Sequence, residues 1–196
     1  MNRRSTLGWK HRLVSTDDIG AIDLAGKTTF VTLSKNPYSW AISMWRRPYH
    51  AVGEAPTDLA AFVAAEWPTV RRERGPKRYR SLTEMWNAKN RAYIDVADSF
   101  PTVNLRYEDL LRDPFEVIER VRLESAADRN LTEYKNIVAS AKGDSEKGYS
   151  FYRQYYLNEE WRSEMDDSTI ERMNSDLDRD LMERLGYDIL EPDNNE

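Results

Sequence analysis

"VTLSKNPYSWAISMWRRPYH", residues 31–50, decides how this chain is read. It passes from a β-branched, apolar run into Lys35-Asn36-Pro37 and then into residues with helical spacing. "TTFVTLS" at 28–34 has the apolar centre of a buried parallel strand. Pro37 suits the first turn of a helix, because the N–H it lacks would have no partner there. Residues 28 to 47 therefore read as strand, tight turn, helix.

The pattern recurs downstream. "PTVNLRYEDL" at 101–110 holds a second β-rich run, Thr102 to Arg106. "RDPFEVIERVRLE" follows, with Asp113 as N-cap, Pro114 at the first helical position, and Phe115, Ile118, Val121 and Leu123 expected to face inward. Between the two units, "APTDLAAFVAAEW" predicts a helix from an N-cap at Thr57 to near Pro68. "RRERGPKRYR" at 71–80 reads as a basic, mobile loop, and "SLTEMWNAKNRAYIDVADSF" as a helix opened by the capping box Ser81 and Glu84. The last third reads as helix: "LTEYKNIVASAKG", an irregular basic-aromatic stretch "KGYSFYRQYY", then "STIERMNSDLDRDLMERLG" from Ser168 to a C-cap at Gly186. Strands alternating with helices predict an α/β fold with a parallel sheet flanked by helices, helix-rich in its C-terminal half. One domain over residues 1–190 and an acidic tail over 191–196 are expected.

Composition narrows the chemistry. The 40% hydrophobic and 11% aromatic content suits a globular chain despite 32% charge. The absence of cysteine removes disulfides, thiolate catalysis and cysteine-held metals. His11 and His50 are too few for an all-histidine metal site, so no metal is expected. A net charge of −5 argues against a nucleic-acid partner. No apolar window is long enough to span a membrane, and a cytoplasmic location is the default expectation.

Open parallel sheets take ligands beyond the carboxyl ends of their strands, here "SKNP" and "RYEDL". The Lys35 ammonium can reach an oxyanion held over the adjacent helix start, where side chain and helix dipole act in the same sense. Ser43 can donate to the same anion from a helix face shared with Trp40 and Arg47, or serve as a small residue that permits close packing. Arg46 and Arg47 read as a solvated helix end, Trp40 and Trp45 as core, and Glu108 with Asp109 as a structural turn. His50, in a loop after Pro48, has no role assigned by its sequence context.

These segments carry a resemblance. "VTLSKNPYSWAISMWRR" resembles the 3′-phosphate-binding segment of PAPS-dependent sulfotransferases, in which a basic residue ends a strand and a helical Ser follows eight positions later, as Lys35 and Ser43 do. "LRYEDLLRDPFEVIERV" is similar to the family's second landmark, and "KGYSFYRQYYLNEEW" with "LMERLGY" to the end of its bacterial and phage-type members. "GWKHRL" places His11 24 residues before Lys35, about where the family carries a catalytic histidine.

The resemblance implies a P-loop NTPase-like fold and transfer of a sulfuryl group from PAPS to a hydroxyl acceptor, with a carbohydrate as the favoured class. It implies His11 as general base, Lys10 as stabiliser of the leaving oxygen, and Lys35, Ser43, Lys147, Gly148 and Arg153 around the nucleotide. An imidazole with a pKa near ~6.5 suits the base, since general-base help is worth about 10²–10⁴-fold. The family's opening strand and Gly-rich phosphosulfate loop have no counterpart before "GWKH", so an N-terminally shortened domain is expected. A homo-oligomer, or a partner chain that completes the N-terminal site, is a further expectation. Two rival readings stay open: a non-catalytic, truncated module that binds a 3′-phosphonucleotide or a protein partner, and a helical interaction adaptor.

Overall fold

Two parallel strands carry the repeated strand-to-helix pattern. The computed structural model describes residues 9–22, 27–49, 56–125 and 147–192. Strand β1 (Phe30–Ser34) pairs in parallel with β4 (Thr102–Arg106), Val31 opposite Val103 and Leu33 opposite Leu105. A small antiparallel ribbon, β2 (Trp67–Pro68) and β3 (Arg78–Tyr79), lies between them in sequence. The helices are α1 (Thr16–Gly20), α2 (Pro37–Arg46), α3 (Leu59–Ala64), α4 (Leu82–Ser99), α5 (Tyr107–Arg112), α6 (Pro114–Glu124), α7 (Tyr149–Leu157), α8 (Asp167–Asp176) and α9 (Arg179–Leu185). The described chain is thus α/β and helix-rich, with a two-stranded parallel sheet.

Local chemistry sets the ends of these elements. Asn36 caps α2 by accepting the N–H groups of Tyr38 at 3.1 Å and Ser39 at 3.4 Å, and Pro37 occupies the first turn. Ser81 caps α4 and Asp113 caps α6, as their sequence contexts predict. Gly186 ends α9 at φ 69°, in the left-handed region that favours glycine.

The main core joins α2, α3, α4 and the C-terminal helices around Tyr38, Met85, Trp86, Trp161 and Leu181. Each such side chain contributes about 1.5–3 kcal/mol of burial. Tyr38 lies stacked 6.4 Å from Trp161, and its hydroxyl accepts the Leu190 N–H at 3.1 Å while donating to Asn174. Trp40 and Trp45 are half-buried against this core.

Several sequence expectations need correction. β1 is not buried on both faces: Val31 is 51% and Leu33 46% exposed. Their partners Val103 and Leu105 are covered by Val117 and Val121 of α6, whereas no described element gives β1 the same cover. On α6 itself Phe115 and Leu123 face outward, 55% and 66% exposed, because the helix rests on the sheet through Val117. The cap of α3 is Asp58, one residue past Thr57. "YSFYRQYYL" is a regular helix, α7, rather than irregular. The C-terminal run breaks between α8 and α9, where Asp178 caps a new helix by accepting the Leu181 N–H at 3.0 Å. His50, the whole of "LTEYKNIVASAKG" and the end of the acidic tail lie outside the described residues.

The segment 71–80 is also more ordered than its composition suggests. A 3-10 turn at Arg71–Glu73 leads into β3, and the Glu73 side chain is wholly buried. It accepts from Lys89 Nζ at 3.0 Å, and Lys89 also donates to the His11 carbonyl and the Tyr49 hydroxyl, each at 2.9 Å. An ammonium with three donors is thereby satisfied. Burial lowers the Lys89 pKa, and the Glu73 carboxylate opposes that shift.

Candidate functional site at the strand ends

The carboxyl ends of β1 and β4 are tied together by the Glu108 carboxylate. Buried at the start of α5, it accepts the Asn36 N–H at 3.0 Å and the Tyr187 hydroxyl at 3.0 Å. Ser34 completes the tie by donating to the Leu105 carbonyl at 3.2 Å. Glu108 therefore braces the fold, and burial followed by its negative charge raises the Tyr187 pKa.

Above this brace Lys35 and Ser43 converge. Lys35 Nζ donates to Ser43 Oγ at 2.7 Å, and Ser43 Oγ also reaches the Ser39 carbonyl at 3.0 Å and the Tyr156 hydroxyl at 3.2 Å. The ammonium lies 3.8 Å from the centroid of the Tyr156 ring and 5.1 Å from that of Tyr107. Cation–π attraction to two rings fixes the charge with about 0.5–2 kcal/mol apiece. The Lys35 carbonyl is held from below by Trp86 Nε1 at 2.9 Å. Backbone and side chain of Lys35 are thus both positioned.

Tyr107 and Tyr156 are the members that sequence reasoning missed. Tyr156 sits on α7 with its ring stacked on Tyr152 at 6.2 Å, and edge-on to Tyr107 at 5.3 Å. The spacing of Tyr149, Tyr152, Tyr155 and Tyr156 along one helix was the available signal. The other residues singled out near α7 lie differently. Lys147 Nζ rests 4.9 Å from the Phe151 ring, Gly148 is the N-cap, and Arg153 is exposed. At the C-terminal end of α2, Arg46 bonds Glu164 at 2.5 Å and the Tyr155 hydroxyl at 3.2 Å.

A cavity of about 420 Å³ opens beside this cluster, lined by Asn36, Arg106, Glu108, Arg112, Tyr156 and Tyr187 among others. Tyr156 belongs to both, so one ring separates the Lys35 ammonium from the cavity wall. Arg106 donates to the Gly186 carbonyl, while its Nε is buried without a hydrogen bond, Asp109 standing at ion-pair distance, 3.4 Å.

His11 and Lys10 belong to a second cluster. The His11 ring stacks on Tyr49 at 4.7 Å and meets Trp9 edge-on at 4.8 Å, while Lys10 is exposed in the same turn. Both clusters are anchored on α4, one through Trp86 and the other, one turn on, through Lys89. Among the described residues no group of three or more His, Asp or Glu side chains is placed to hold a metal, and no described helix is long and apolar enough to cross a membrane.

Burial raises the pKa of Tyr107, Tyr155 and Tyr156, and pushes that of Tyr79 up to about 12. A folded-state pKa above the unfolded value contributes stability that is intact below pH ~10 and declines as pH rises further. Absorbance titration of tyrosinate is expected to show a late step that coincides with loss of helical circular dichroism. Ionisation of all tyrosines near pH 10 in the folded chain would contradict this burial.

No protein family, characterised protein or solved structure matches the chain.

Proposed function

We propose that the chain is a PAPS-dependent sulfotransferase that transfers a sulfuryl group to a hydroxyl acceptor. The observation that supports this reading is the convergence of the Lys35 ammonium with the Ser43 and Tyr156 hydroxyls beyond the end of β1. One cation with two hydroxyls, Lys35 preceding α2, Ser43 within it and Tyr156 on α7, is a donor set suited to a phosphate. Lys35, Ser43 and Tyr156 would hold the 3′-phosphate, and the adjoining cavity is of a size that accepts a nucleoside. The arrangement is read as a P-loop NTPase-like scaffold of which the described strands form part.

When bound, PAPS supplies a sulfuryl group whose bond to a phosphate oxygen breaks as the acceptor oxygen bonds to sulfur, the electron pair leaving on that phosphate. His11 takes the acceptor's proton on its imidazole. Stacking on Tyr49 and the Lys89 bond to its carbonyl fix where that ring can act. Lys10 offsets charge on the departing oxygen. Positioning and charge stabilisation dominate such transfers, and the His11 ring, packed against Tyr49 and Trp9, is the group held in place for them.

A second reading, a non-catalytic module that binds a 3′-phosphonucleotide, is favoured by the separate packing of the two clusters. Turnover separates the two. Release of adenosine 3′,5′-bisphosphate from PAPS is measured across a panel of hydroxyl acceptors, carbohydrates included. Acceptor-dependent release that His11→Ala reduces at least about 10²-fold supports the enzyme. Nucleotide binding without release on any acceptor supports the module. Ser43→Ala is expected to weaken nucleotide binding at least about tenfold, since hydrogen bonds to charged groups contribute about 1.5–3 kcal/mol. Unchanged affinity in this variant would remove Ser43 from the site.

A further inference from the structure

We infer that the strap at residues 71–80 is a docking surface for an anionic polysaccharide, the acceptor of the proposed transfer, and that it delivers the chain's hydroxyls to the His11 turn. The inference rests on the sulfotransferase reading for the delivery step only.

The strap sorts its charges by direction. Arg71, Arg72, Arg74, Lys77, Arg78 and Arg80 are all exposed, whereas Glu73, the one acid in the run, is turned inside and neutralised by Lys89. In a chain of net charge −5 this makes a local basic face on an acidic molecule. Arg71 and Lys77 have no acidic partner among the described residues. Arg74, Arg78 and Arg80 pair with Asp18, Glu66 and Glu84, at 3.0, 2.6 and 3.0 Å, in partly or fully exposed bridges. Such bridges are worth about 0–1 kcal/mol and can be exchanged for a ligand's carboxylates or sulfates.

The face is built rather than loose. Thr69 N–H bonds the Lys77 carbonyl at 3.0 Å across the β2–β3 ribbon, and Arg74 is held at φ 54°. Gly75 lies so close to the Tyr79 ring that a Cβ would stand 2.8 Å from its hydroxyl. Most telling is the strap's attachment to the His11 segment. The Leu13 N–H bonds the Glu73 carbonyl at 2.6 Å, and the Arg72 guanidinium lies 4.6 Å from the Trp9 ring. Cations and candidate base therefore share one rim.

A polysaccharide fits this rim better than a nucleic acid. The rings of Trp9, His11 and Tyr49 are packed on one another, and Arg72 lies over Trp9, whereas binding of single strands relies on rings presented to splayed bases.

The test is binding of a size-defined heparin oligosaccharide to the full chain, by calorimetry at low ionic strength. Arg71→Ser with Lys77→Ser is compared with Arg172→Ser and Arg179→Ser on α8 and α9, which remove the same charge elsewhere. The strap variant is expected to bind about tenfold more weakly and the distant variant to change less than about twofold. Both are expected to keep the wild-type far-ultraviolet circular dichroism and melting temperature, which shows that they are folded. Equal losses in the two variants, or no oligosaccharide binding, overturn the inference. So does an oligothymidylate that binds as tightly through the same two residues. Strap-dependent oligosaccharide binding in a protein that ignores the nucleotide supports the docking surface and removes the sulfotransferase reading.

Discussion

Adenosine 3′,5′-bisphosphate at a hundredfold excess over its Kd is expected to raise the melting temperature of the wild-type chain by about 5–11 °C, and Lys35→Ala to lose that rise. The size follows from linkage: a ligand that binds only the folded state at that excess stabilises it by about 2.7 kcal/mol, and each kcal/mol shifts a chain of this length by about 2–4 °C. The loss follows from geometry. Lys35 Nζ is the cation of the cluster, 2.7 Å from Ser43 Oγ and 3.8 Å from the Tyr156 ring centroid. Truncation removes that charge but leaves the Trp86 bond to the residue 35 carbonyl, so the turn keeps its anchor. His11→Ala, in the other cluster, is expected to keep most of the shift. A full shift in Lys35→Ala would place the nucleotide elsewhere.

The largest effect on stability is expected from Lys89→Met. This change leaves the Glu73 carboxylate buried without its counter-charge and strips a donor from the His11 carbonyl and from Tyr49. Breaking a buried ion pair from one side costs about 3–5 kcal/mol, because the remaining charge is uncompensated, whereas an apolar replacement of both partners is often close to neutral. Urea unfolding is therefore expected to show a loss of about 3–5 kcal/mol for Lys89→Met, and a much smaller one for Lys89→Met with Glu73→Leu. A single variant that costs under about 1 kcal/mol would show that the pair does not hold the strap to α4.

What the sequence made legible was local. Pro37, Ser81, Asp113 and Gly186 mark element ends by chemistry that acts within a few residues, and each stands where its context predicts. Lys35 and Ser43 are eight positions apart across one strand-to-helix turn, so their convergence was readable too. Contacts between distant segments were not. Tyr156 reaches Ser43 across 113 positions, and Tyr107 meets Tyr156 only because α5 packs on α7. Glu73 looked like one more charge in a solvated run, since nothing nearby announces that Lys89 lies beneath it. The exposure of Val31 and Leu33 depends on what covers β1, which strand composition does not encode. Thr57 and Asp58 are both good caps, and adjacency alone misplaced that helix start by one residue.

The most direct measurement is a crystal structure of the chain soaked with adenosine 3′,5′-bisphosphate. The account predicts the 3′-phosphate within hydrogen-bond reach of Lys35 Nζ and Ser43 Oγ, with the Tyr156 hydroxyl turned toward the same oxygens. A nucleotide bound with its phosphates away from Lys35, or Lys35 still donating to Ser43 with no phosphate beside it at saturating ligand, would contradict it.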